Sequence, residues 1–435
     1  CISVRRYDES GNTDQMTDRS QRQRLIVQKF GGMSLATPEH IRNAAARVAA
    51  LRAQGYGVIA VVSAMAKTTD ELIKLAYSVS PSPNRRELDM LLSTGERVSM
   101  ALFSMALTDA LRNAGLAAKA ISFTGSQAGI LTDDTHSNAR IIDVRPHRVQ
   151  EEIDRGNVAI LAGFQGVSPV SKEITTLGRG GTDVTAVAMA IAFNAERCEI
   201  LKEVDGVLTA DPRLVPAAKL IENLTLDELS EMTFWGAKVL HYRSVELALT
   251  HGVPLHIALA HPESGAPVLS TKVDANVGIA DSLPKENPVK QSVYENESVL
   301  SVNSHSDVQR VTFSGSDLSQ GFTKLEDTLR SAQLPLPQIL EAHSTENRIE
   351  ILFTAPAEAL EAQVRCLANV PLASVTATCR GAVSRSLIGK LSAALSARKI
   401  TNHQILVSSL SITFLIDKTQ RDLAVETIHT FASPN

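Results

Sequence analysis

The chain lacks several features that would narrow its class. Its four cysteines, Cys1, Cys198, Cys366 and Cys379, are too scattered for a disulfide framework or a zinc site, which favours a reducing, cytoplasmic location. Its net charge of −4 argues against a nucleic-acid or membrane surface as partner. Apolar runs stay well short of the roughly 18 to 20 residues that a membrane helix needs.

The chain contains enough hydrophobic residues to form large cores. Hydrophobic residues make up 44% of 435 residues, a length typical of roughly two or three domains. Residues 1–24 are polar and of mixed charge, and we expect them to form a disordered leader. The absence of an initiator Met is consistent with trimming or a non-native start.

Beyond residue 24, strand and helix patterns alternate. Leu25–Phe30 and Gly57–Ser63 are apolar runs typical of buried strands, and Thr37-Pro38-Glu39 between them is a helix start with a threonine cap. Further helices are predicted near 87–113 and 147–155, and further strands near 119–123, 158–164, 199–203 and 254–260. The pattern predicts an α/β domain with a largely parallel sheet sandwiched by helices.

The composition changes near 262–290, where prolines and glycines are typical of a linker or insertion. Beyond it, strand and helix patterns repeat: 308–313, 318–332, 348–353 and 358–367, then 373–379, 386–397, 404–407, 408–416 and 420–431. Two small α+β (ferredoxin-like) units are therefore predicted. We place the first domain at 25–283 and the paired units at 284–435. An exposed sheet edge in such units favours a homodimer or a higher homo-oligomer.

The most informative motif is Gly178-Arg179-Gly180-Gly181-Thr182-Asp183, which precedes an apolar helix predicted from Val184 to Phe193. Glycines and a helix N-terminus together can cradle an anion. Arg179 can grip a carboxylate with two bonds, and Asp183 adds an acid. The alternative is an ordinary strand-to-helix turn capped by Thr182 or Asp183.

Other polar groups also follow strands, where ligands bind in open α/β sheets. Lys29 precedes Gly31-Gly32 and would suit phosphate charge, although a solvated lysine is the plain alternative. Ser63 ends the next strand. Glu96 interrupts an apolar helix and needs a partner, either a substrate ammonium or simply Arg97 or solvent.

The segment Val204–Arg213 carries acids and an arginine, and alternatively forms an Asp-Gly turn. Lys238 adds another cation, and His241 is expected at a helix start or in packing rather than in catalysis. Several cations, few candidate bases and repeated glycine loops indicate phosphoryl transfer, which depends chiefly on positioning and charge neutralisation.

In combination, the motifs resemble those of aspartate kinases in the amino-acid kinase superfamily. They are KFGGMS, VSAMAKTTDEL, LLSTGERVS, TGSQAGILTDD, GFQG, TTLGRGGTDVTAVA, VDGVLTADPR and GAKVLH, in the family's order between Ile26 and Val268. The C-terminal repeat resembles, more weakly, the family's paired regulatory ACT domains.

The resemblance implies aspartate and ATP as substrates, Mg²⁺ as the ion bound with ATP, β-aspartyl phosphate as product, and no metal-binding residues in the protein. It assigns catalysis to Lys29 and Asp183, and aspartate binding to Ser34, Ser63, Glu96 and Arg179. It assigns the nucleotide to Gly31, Gly32, Lys202, Glu203, Leu208, Asp211, Arg213 and Lys238. Asn402 and Gln404 are the candidates for binding an amino-acid effector, with lysine or threonine biosynthesis as the implied pathway.

Some positions depart from the family pattern. Met33 replaces a threonine, Lys202-Glu203 replaces Thr-Asp, and Leu208 replaces a tyrosine. Ala66 replaces a glycine, which is acceptable if its φ is negative. In the repeat, the Pro-Gly-Val loops are replaced by 318–321 and 384–387, and the effector asparagine by Thr401, so feedback could be altered or lost.

These departures keep two alternatives open. One is a kinase of the same superfamily with another carboxylate acceptor. The other is a catalytically weak regulatory or binding subunit, against which the presence of Lys29, Arg179 and Asp183 argues.

Overall fold

The computed structural model describes residues 24–262, 269–275, 298–331, 337–354, 371–380 and 383–432. The chain forms two compact units. The first takes residues up to 207, 221–227 and 239–283, and the second takes 208–220, 228–238 and residues from 284 onward. The predicted boundary at 283/284 is thus one of several places where the chain passes between units, and the domain assignment stays a prediction.

The first unit contains the predicted α/β architecture. Its strands are β1 (Leu25–Phe30), β2 (Gly57–Val62), β3 (Ala120–Phe123), β4 (Ile130–Thr132), β5 (Ile141–Val144), β6 (Val158–Ala162), β7 (Gln165–Val167), β8 (Ile174–Thr176) and β9 (Arg197–Lys202). They are followed by the short β10 (Val207–Leu208) and β11 (Leu220–Ile221), which cross the boundary between the units, and by β12 (Asn223–Thr225), β13 (Leu255–Leu259) and β14 (Ser270–Asp274).

The main sheet has eight strands in the order β12-β14-β13-β9-β1-β2-β6-β3. Neighbouring strands are parallel except β13 and β14, so the carboxyl ends of β1, β2, β6 and β9 share one edge. A smaller sheet has the order β5-β4-β7-β8. The interpretation of 262–290 as a linker is wrong for residues 270–274, because β14 pairs with β13 inside the main sheet. Residues 263–268 and 276–290 lie outside the described residues.

The helices of this unit are α1 (Pro38–Ala53), α2 (Thr68–Val79), α3 (Arg85–Asn113), α4 (His147–Asp154), α5 (Gly181–Ala192), α6 (Leu226–Phe234, which runs on into the second unit) and α7 (Tyr242–His251). The predicted cap of α1 is confirmed, since Thr37 Oγ1 accepts from His40 N–H and Pro38 starts the helix. Phe30, Val62 and Phe103 belong to a core between the sheet and the helices α1 and α3.

Strand alternation decides which side chains face that core. In β1, Phe30 belongs to it, and Gln28, two residues away, shares its face and donates to Glu199 of β9 (2.7 Å). Lys29 must therefore point to the opposite face of the sheet. This alternation places a cation on the α5 side, at the edge where the parallel strands end.

The second unit is built on a six-stranded sheet in the order β16-β17-β15-β18-β20-β19, in which all neighbours are antiparallel. Its elements are β15 (Ser298–Ser314), α8 (Leu318–Ser331), β16 (Gln338–Ser344), β17 (Arg348–Thr354), β18 (Leu372–Arg380), α9 (Arg385–Ala397), β19 (Asn402–Val407), β20 (Ser411–Asp417) and α10 (Arg421–Ala432).

The repeat predicted for this unit corresponds to two α/β layers that share β15. That strand pairs with β18 through its first part and with β17 through its second. The strand β16 has no counterpart in the prediction, and the helix predicted at 358–367 lies outside the described residues. Cys198 in the first unit and Cys379 in the second are fully buried.

Candidate active site

The centre of the site is an ion pair between Lys29 and Asp183. Lys29 Nζ lies 2.6 Å from Asp183 Oδ1, and both side chains are nearly buried, at 7% and 6% exposure. The lysine lies near the carboxyl end of β1, and the aspartate lies in the first turn of α5. A buried charge requires a partner, so this pair excludes the alternative of Lys29 as a solvated strand-end lysine.

A second cation approaches the same carboxylate. Lys202, the last residue of β9, places its Nζ 3.7 Å from Asp183 Oδ2. Burial alone would raise the pKa of the Asp183 carboxyl, but the charges of Lys29 and Lys202 outweigh it and hold that pKa at about 2. Burial lowers the pKa of the Lys202 ammonium, an effect that Asp183 opposes.

The glycine-rich turn leads directly into α5. Gly178 and Gly180 adopt left-handed φ values of 74° and 70°, and Gly180 is the N-cap of the helix. The sequence left two interpretations open, an anion cradle and a strand-to-helix turn capped by Thr182 or Asp183. In the structure neither of these two residues is the cap. Arg179 is exposed between the two glycines. The turn thus presents an exposed guanidinium at the N-terminus of a buried helix, an arrangement suited to a carboxylate or a phosphate.

His241 supports this turn, as expected of a helix-start histidine. It is the N-cap of α7, and its Nδ1 accepts from Arg243 N–H. A Cβ built on Gly180 would lie 2.2 Å from His241 Cβ, so only glycine fits there. Burial lowers the pKa of His241, which therefore adds little positive charge near neutral pH.

Two supporting residues were missed by the sequence analysis. Asp89 in α3 is fully buried and accepts from Thr176 Oγ1 (2.6 Å) and from Ser137 N–H (3.1 Å). Arg243 donates to Leu177 O (2.7 Å) and Ala139 O (3.1 Å). Together they fix the chain just before Gly178. The signal for Asp89 was its place inside the helical motif LDMLLSTGE, where an acid needs a buried partner.

Glu96 reaches the end of β2 from α3. Ala64 N–H, one residue after Ser63, donates to Glu96 Oε1 (3.1 Å), while Oε2 is buried without a hydrogen-bond partner among the described residues. Burial raises the pKa of Glu96 to about 7, and the bond from Ala64 partly offsets this. A buried carboxylate oxygen with no donor is a site where a substrate cation could bind.

The Gly-Gly turn after β1 is constrained on both sides. Gly31 N–H donates to Leu201 O (3.3 Å), which leaves Gly32 as the stronger candidate for donating to an anion. A Cβ on Gly32 would lie 2.7 Å from Ala64 O, so glycine is required there as well. Ser34 is buried and donates to Glu203 Oε1 (3.0 Å). Lys29, Ser34, Lys202 and Glu203 thus come together at the ends of β1 and β9.

The condition under which alanine would be acceptable at position 66, a negative φ, is not met. Its φ is 46°, because its N–H must donate to Gly32 O (2.9 Å) to close the turn before α2. The left-handed region costs a residue with a Cβ roughly 1 to 2 kcal/mol. The chain therefore carries local strain next to its candidate phosphate-binding turn.

Replacement of Ala66 by glycine should relieve this strain. We expect Ala66→Gly to raise the free energy of unfolding by about 1 kcal/mol, measured by urea denaturation. Ala46→Gly is the matched control, because Ala46 is exposed in the interior of α1 and its replacement should cost about 0.5 to 1 kcal/mol. Equal losses in both variants would contradict the assignment of strain to Ala66.

Four nucleotide candidates belong to the second unit: Leu208, Asp211, Arg213 and Lys238. Within that unit, the Asp211 carboxylate accepts two side-chain bonds from Arg213 (2.9 and 2.6 Å), which lower the pKa of Asp211. Arg213 and Lys238 are exposed, and Leu208 is half-buried. Both segments are tied into this unit: Thr209 O accepts from Val302 N–H, and Phe234 O accepts from Gln338 Nε2.

The effector candidates lie on β19, also in the second unit. Asn402 is exposed. The amide of Gln404 is already engaged, since it accepts from Arg310 Nη2 (3.0 Å) and donates to Glu341 Oε2 (2.8 Å). A ligand at Gln404 would have to displace or join these partners.

In the part of the chain that the structure describes, no three or more His, Cys, Asp or Glu side chains form a group able to hold a metal ion. None of the helices described is both long enough and apolar enough to cross a membrane.

Comparisons with known proteins agree with this geometry. Residues 24–259 match the family model described as amino acid kinase family. An aspartokinase of Corynebacterium glutamicum is 43% identical over 335 residues, covering 76% of this chain and 74% of that protein. Aspartokinase 2 of Bacillus subtilis is 36% identical over 422 residues, covering 93% and 97%. The crystal structure of Escherichia coli aspartokinase III with aspartate and ADP superposes with a TM-score of 0.72 at 21% identity, covering 93% and 99%.

Proposed function

The chain belongs to the amino acid kinase family and, within it, to the aspartokinases, and on that premise we propose that it transfers the γ-phosphoryl group of ATP to the side-chain carboxylate of L-aspartate. The observation that carries the proposal is the Lys29–Asp183 pair, 2.6 Å apart and nearly buried where the parallel strands end. Such a pair holds a cation in a fixed place, ready for the charge of a phosphoryl group.

Aspartate would be held by groups on three turns and on the helix α3. Arg179, exposed and free to make two parallel bonds, would bind a carboxylate, and the unpartnered Oε2 of Glu96 would accept from the ammonium. Ser63 follows β2 beside the Ala64 N–H that fixes Glu96, and Ser34 lies buried behind the Gly-Gly turn. We propose these four residues as the aspartate site.

The chemistry requires no general base, because a carboxylate is already a nucleophile. The obstacle is repulsion between two anions, which Lys29, the Gly32 N–H and the N-terminus of α5 would reduce. Mg²⁺ bound with ATP would share this task. Because Mg²⁺ is commonly held by phosphates, water and one or two carboxylates, we propose that the ion is delivered with the nucleotide.

The remaining nucleotide contacts are assigned by resemblance alone. We propose that Gly31, Lys202, Glu203, Leu208, Asp211, Arg213 and Lys238 contribute to binding ATP. The exposed cations Arg213 and Lys238 suit phosphate charge, and Leu208 offers an apolar surface to a base.

We further propose that the C-terminal unit is a pair of ACT domains that binds an amino-acid effector through Asn402 and Gln404, and that the protein is a cytoplasmic homodimer or higher homo-oligomer of lysine or threonine biosynthesis. Two α/β layers on one antiparallel sheet support the first part. The neighbouring charges of Arg310 and Glu341 are suited to a zwitterion.

The test is ATP-dependent formation of aspartyl hydroxamate, with ADP release measured in parallel over a panel of amino acids. Turnover with aspartate and not with glutamate, asparagine or N-acetylglutamate is the expected result. ADP release that requires another carboxylic acid would identify a different acceptor, and no ADP release with any acid would indicate a regulatory subunit instead.

The aspartate dependence should also vary with pH. Because the pKa of Glu96 is raised to about 7, its carboxylate is protonated and unable to pair with an ammonium below that pH. We expect kcat/KM for aspartate to fall about tenfold per pH unit as the pH drops below 7, and to level off above it. Initial rates between pH 5.5 and 9 would measure this.

Two variants test whether the pH dependence of kcat/KM comes from Glu96 or from another titrating group. Glu96→Gln should raise KM for aspartate and remove the inflection near pH 7. Glu87→Gln, at an exposed position of the same helix, should leave the profile unchanged. An inflection near pH 7 that persists in Glu96→Gln would assign it to another group.

A further inference from the structure

Lys202 is a feature of this chain rather than of the family pattern, in which threonine takes its place. It ends β9, and strand alternation puts its side chain on the same face as Ile200, which pairs with Lys29 across the sheet. Its Nζ lies 3.7 Å from one oxygen of Asp183, whose other oxygen binds Lys29 at 2.6 Å. One carboxylate thus bridges two ammonium groups.

The charges of Lys29, Lys202 and Asp183 do not balance by themselves. Lys29 and Asp183 are nearly buried, and the side chain of Lys202 is 20% exposed. Glu203 is the next acid along the chain, and its charge acts on the Lys202 ammonium, but the residue is exposed and its carboxylate also accepts from Ser34. Two ammonium groups in a largely dehydrated place thus share one buried carboxylate among the described contacts, which is costly unless a bound anion adds negative charge.

We propose that Lys202 is a further catalytic residue, whose ammonium contacts the transferred phosphoryl group alongside Lys29 while Asp183 holds both. This inference rests on the proposed function. In the step, an aspartate carboxylate oxygen forms a bond to the γ-phosphorus as the bond from that phosphorus to the β,γ-bridging oxygen breaks. The electron pair leaves with ADP, and no proton is transferred. Two cations on the equatorial oxygens favour a transition state whose charge spreads there.

The experiment compares Lys202→Thr, Lys202→Met and Lys202→Arg with wild type in the full-length chain. Lys119→Thr is the matched control, because Lys119 is an exposed lysine of the same unit. Rates of aspartyl hydroxamate formation, KM for aspartate, the Kd for ADP and thermal unfolding are measured for each. Inhibition by ADP with aluminium fluoride and aspartate, a mimic of the transferring phosphoryl group, is measured as well.

We expect kcat to fall about 10- to 50-fold in the threonine and methionine variants, with partial recovery in the arginine variant. Inhibition by the aluminium fluoride complex should weaken in proportion, while KM for aspartate and the Kd for ADP change less than about threefold. Lys119→Thr should match wild type.

Three results would overturn the inference: a wild-type kcat in Lys202→Thr, an unchanged affinity for aluminium fluoride, or a loss confined to thermal stability. If the threonine variant fails to fold, the methionine and arginine variants still test the inference. The arginine variant should recover kcat relative to the methionine variant only if the positive charge at position 202 contributes to the reaction. An inactive wild-type enzyme would instead contradict the proposed function.

Discussion

Replacement of Asp183 by asparagine should lower kcat for aspartate phosphorylation by about 10²- to 10³-fold. The carboxylate holds Lys29 Nζ at 2.6 Å and Lys202 Nζ at 3.7 Å, so its loss removes the anchor of both cations. An amide can accept a hydrogen bond but offers no counter-charge. The two ammonium groups would then repel each other and move from the position that the phosphoryl group needs.

The defect should be independent of pH over the working range. The pKa of Asp183 is held at about 2, so its carboxylate is ionised at any pH where the enzyme is assayed. A depressed carboxyl pKa contributes stability that is present above the ordinary value near 4 and lost only as the pH falls toward 2. Hydroxamate assays between pH 6 and 9 should therefore show a parallel, lowered profile for Asp183→Asn.

Folding has to be measured beside activity. Breaking a buried ion pair by removing one partner costs about 3 to 5 kcal/mol, so thermal unfolding should begin earlier in the variant. Asp143→Asn is a suitable control, because Asp143 pairs with Arg145 at the surface and such pairs contribute about 0 to 1 kcal/mol. A folded Asp183→Asn enzyme that keeps half of the wild-type kcat would contradict the role assigned to this aspartate.

The parts of this site that could be predicted from sequence are those set by local patterns. The apolar run before Lys29 fixes a strand, and the glycines before Asp183 fix a helix start, so both residues fall at the ends of their elements. Parallel pairing then brings those ends to one edge of the sheet. The resemblance to aspartate kinases assigned catalysis to both residues, but their ion pair is a finding of the structure and is contained in neither pattern.

What could not be predicted depends on contacts distant in sequence or on backbone geometry. Asp89 and Thr176 are 87 positions apart, and no local pattern indicates their hydrogen bond. The positive φ of Ala66 follows from its bond to Gly32 O, although alanine itself disfavours that conformation. The strand Ser270–Asp274 is short and largely polar, so its sequence only weakly indicates a strand. The prolines and glycines around it favoured the incorrect prediction of a linker.

The second large effect is expected from Gly180→Ala. Gly180 has a φ of 70° and caps α5, and an added Cβ would lie 2.2 Å from His241 Cβ. The clash cannot be relieved by a side-chain rotation, because Cβ of His241 is fixed to the backbone at the start of α7. The turn that carries Arg179 has to shift instead. A displacement of about 1 Å in a substrate-binding group can cost 10²-fold, so kcat/KM for aspartate should fall by about that factor.

Gly252→Ala separates the clash from the cost of the left-handed conformation. Gly252 ends α7 with a φ of 64°, and nothing lies within 4 Å of a Cβ built there. Both variants should lose roughly 1 to 2 kcal/mol of stability from backbone strain. Only Gly180→Ala should also lose affinity for aspartate, as measured by KM in the hydroxamate assay. The two added methyl groups differ in their surroundings, since only the one at position 180 would clash with His241. Equal kinetic losses in the two variants would therefore mean that general destabilisation, and not displacement of Arg179, limits the activity.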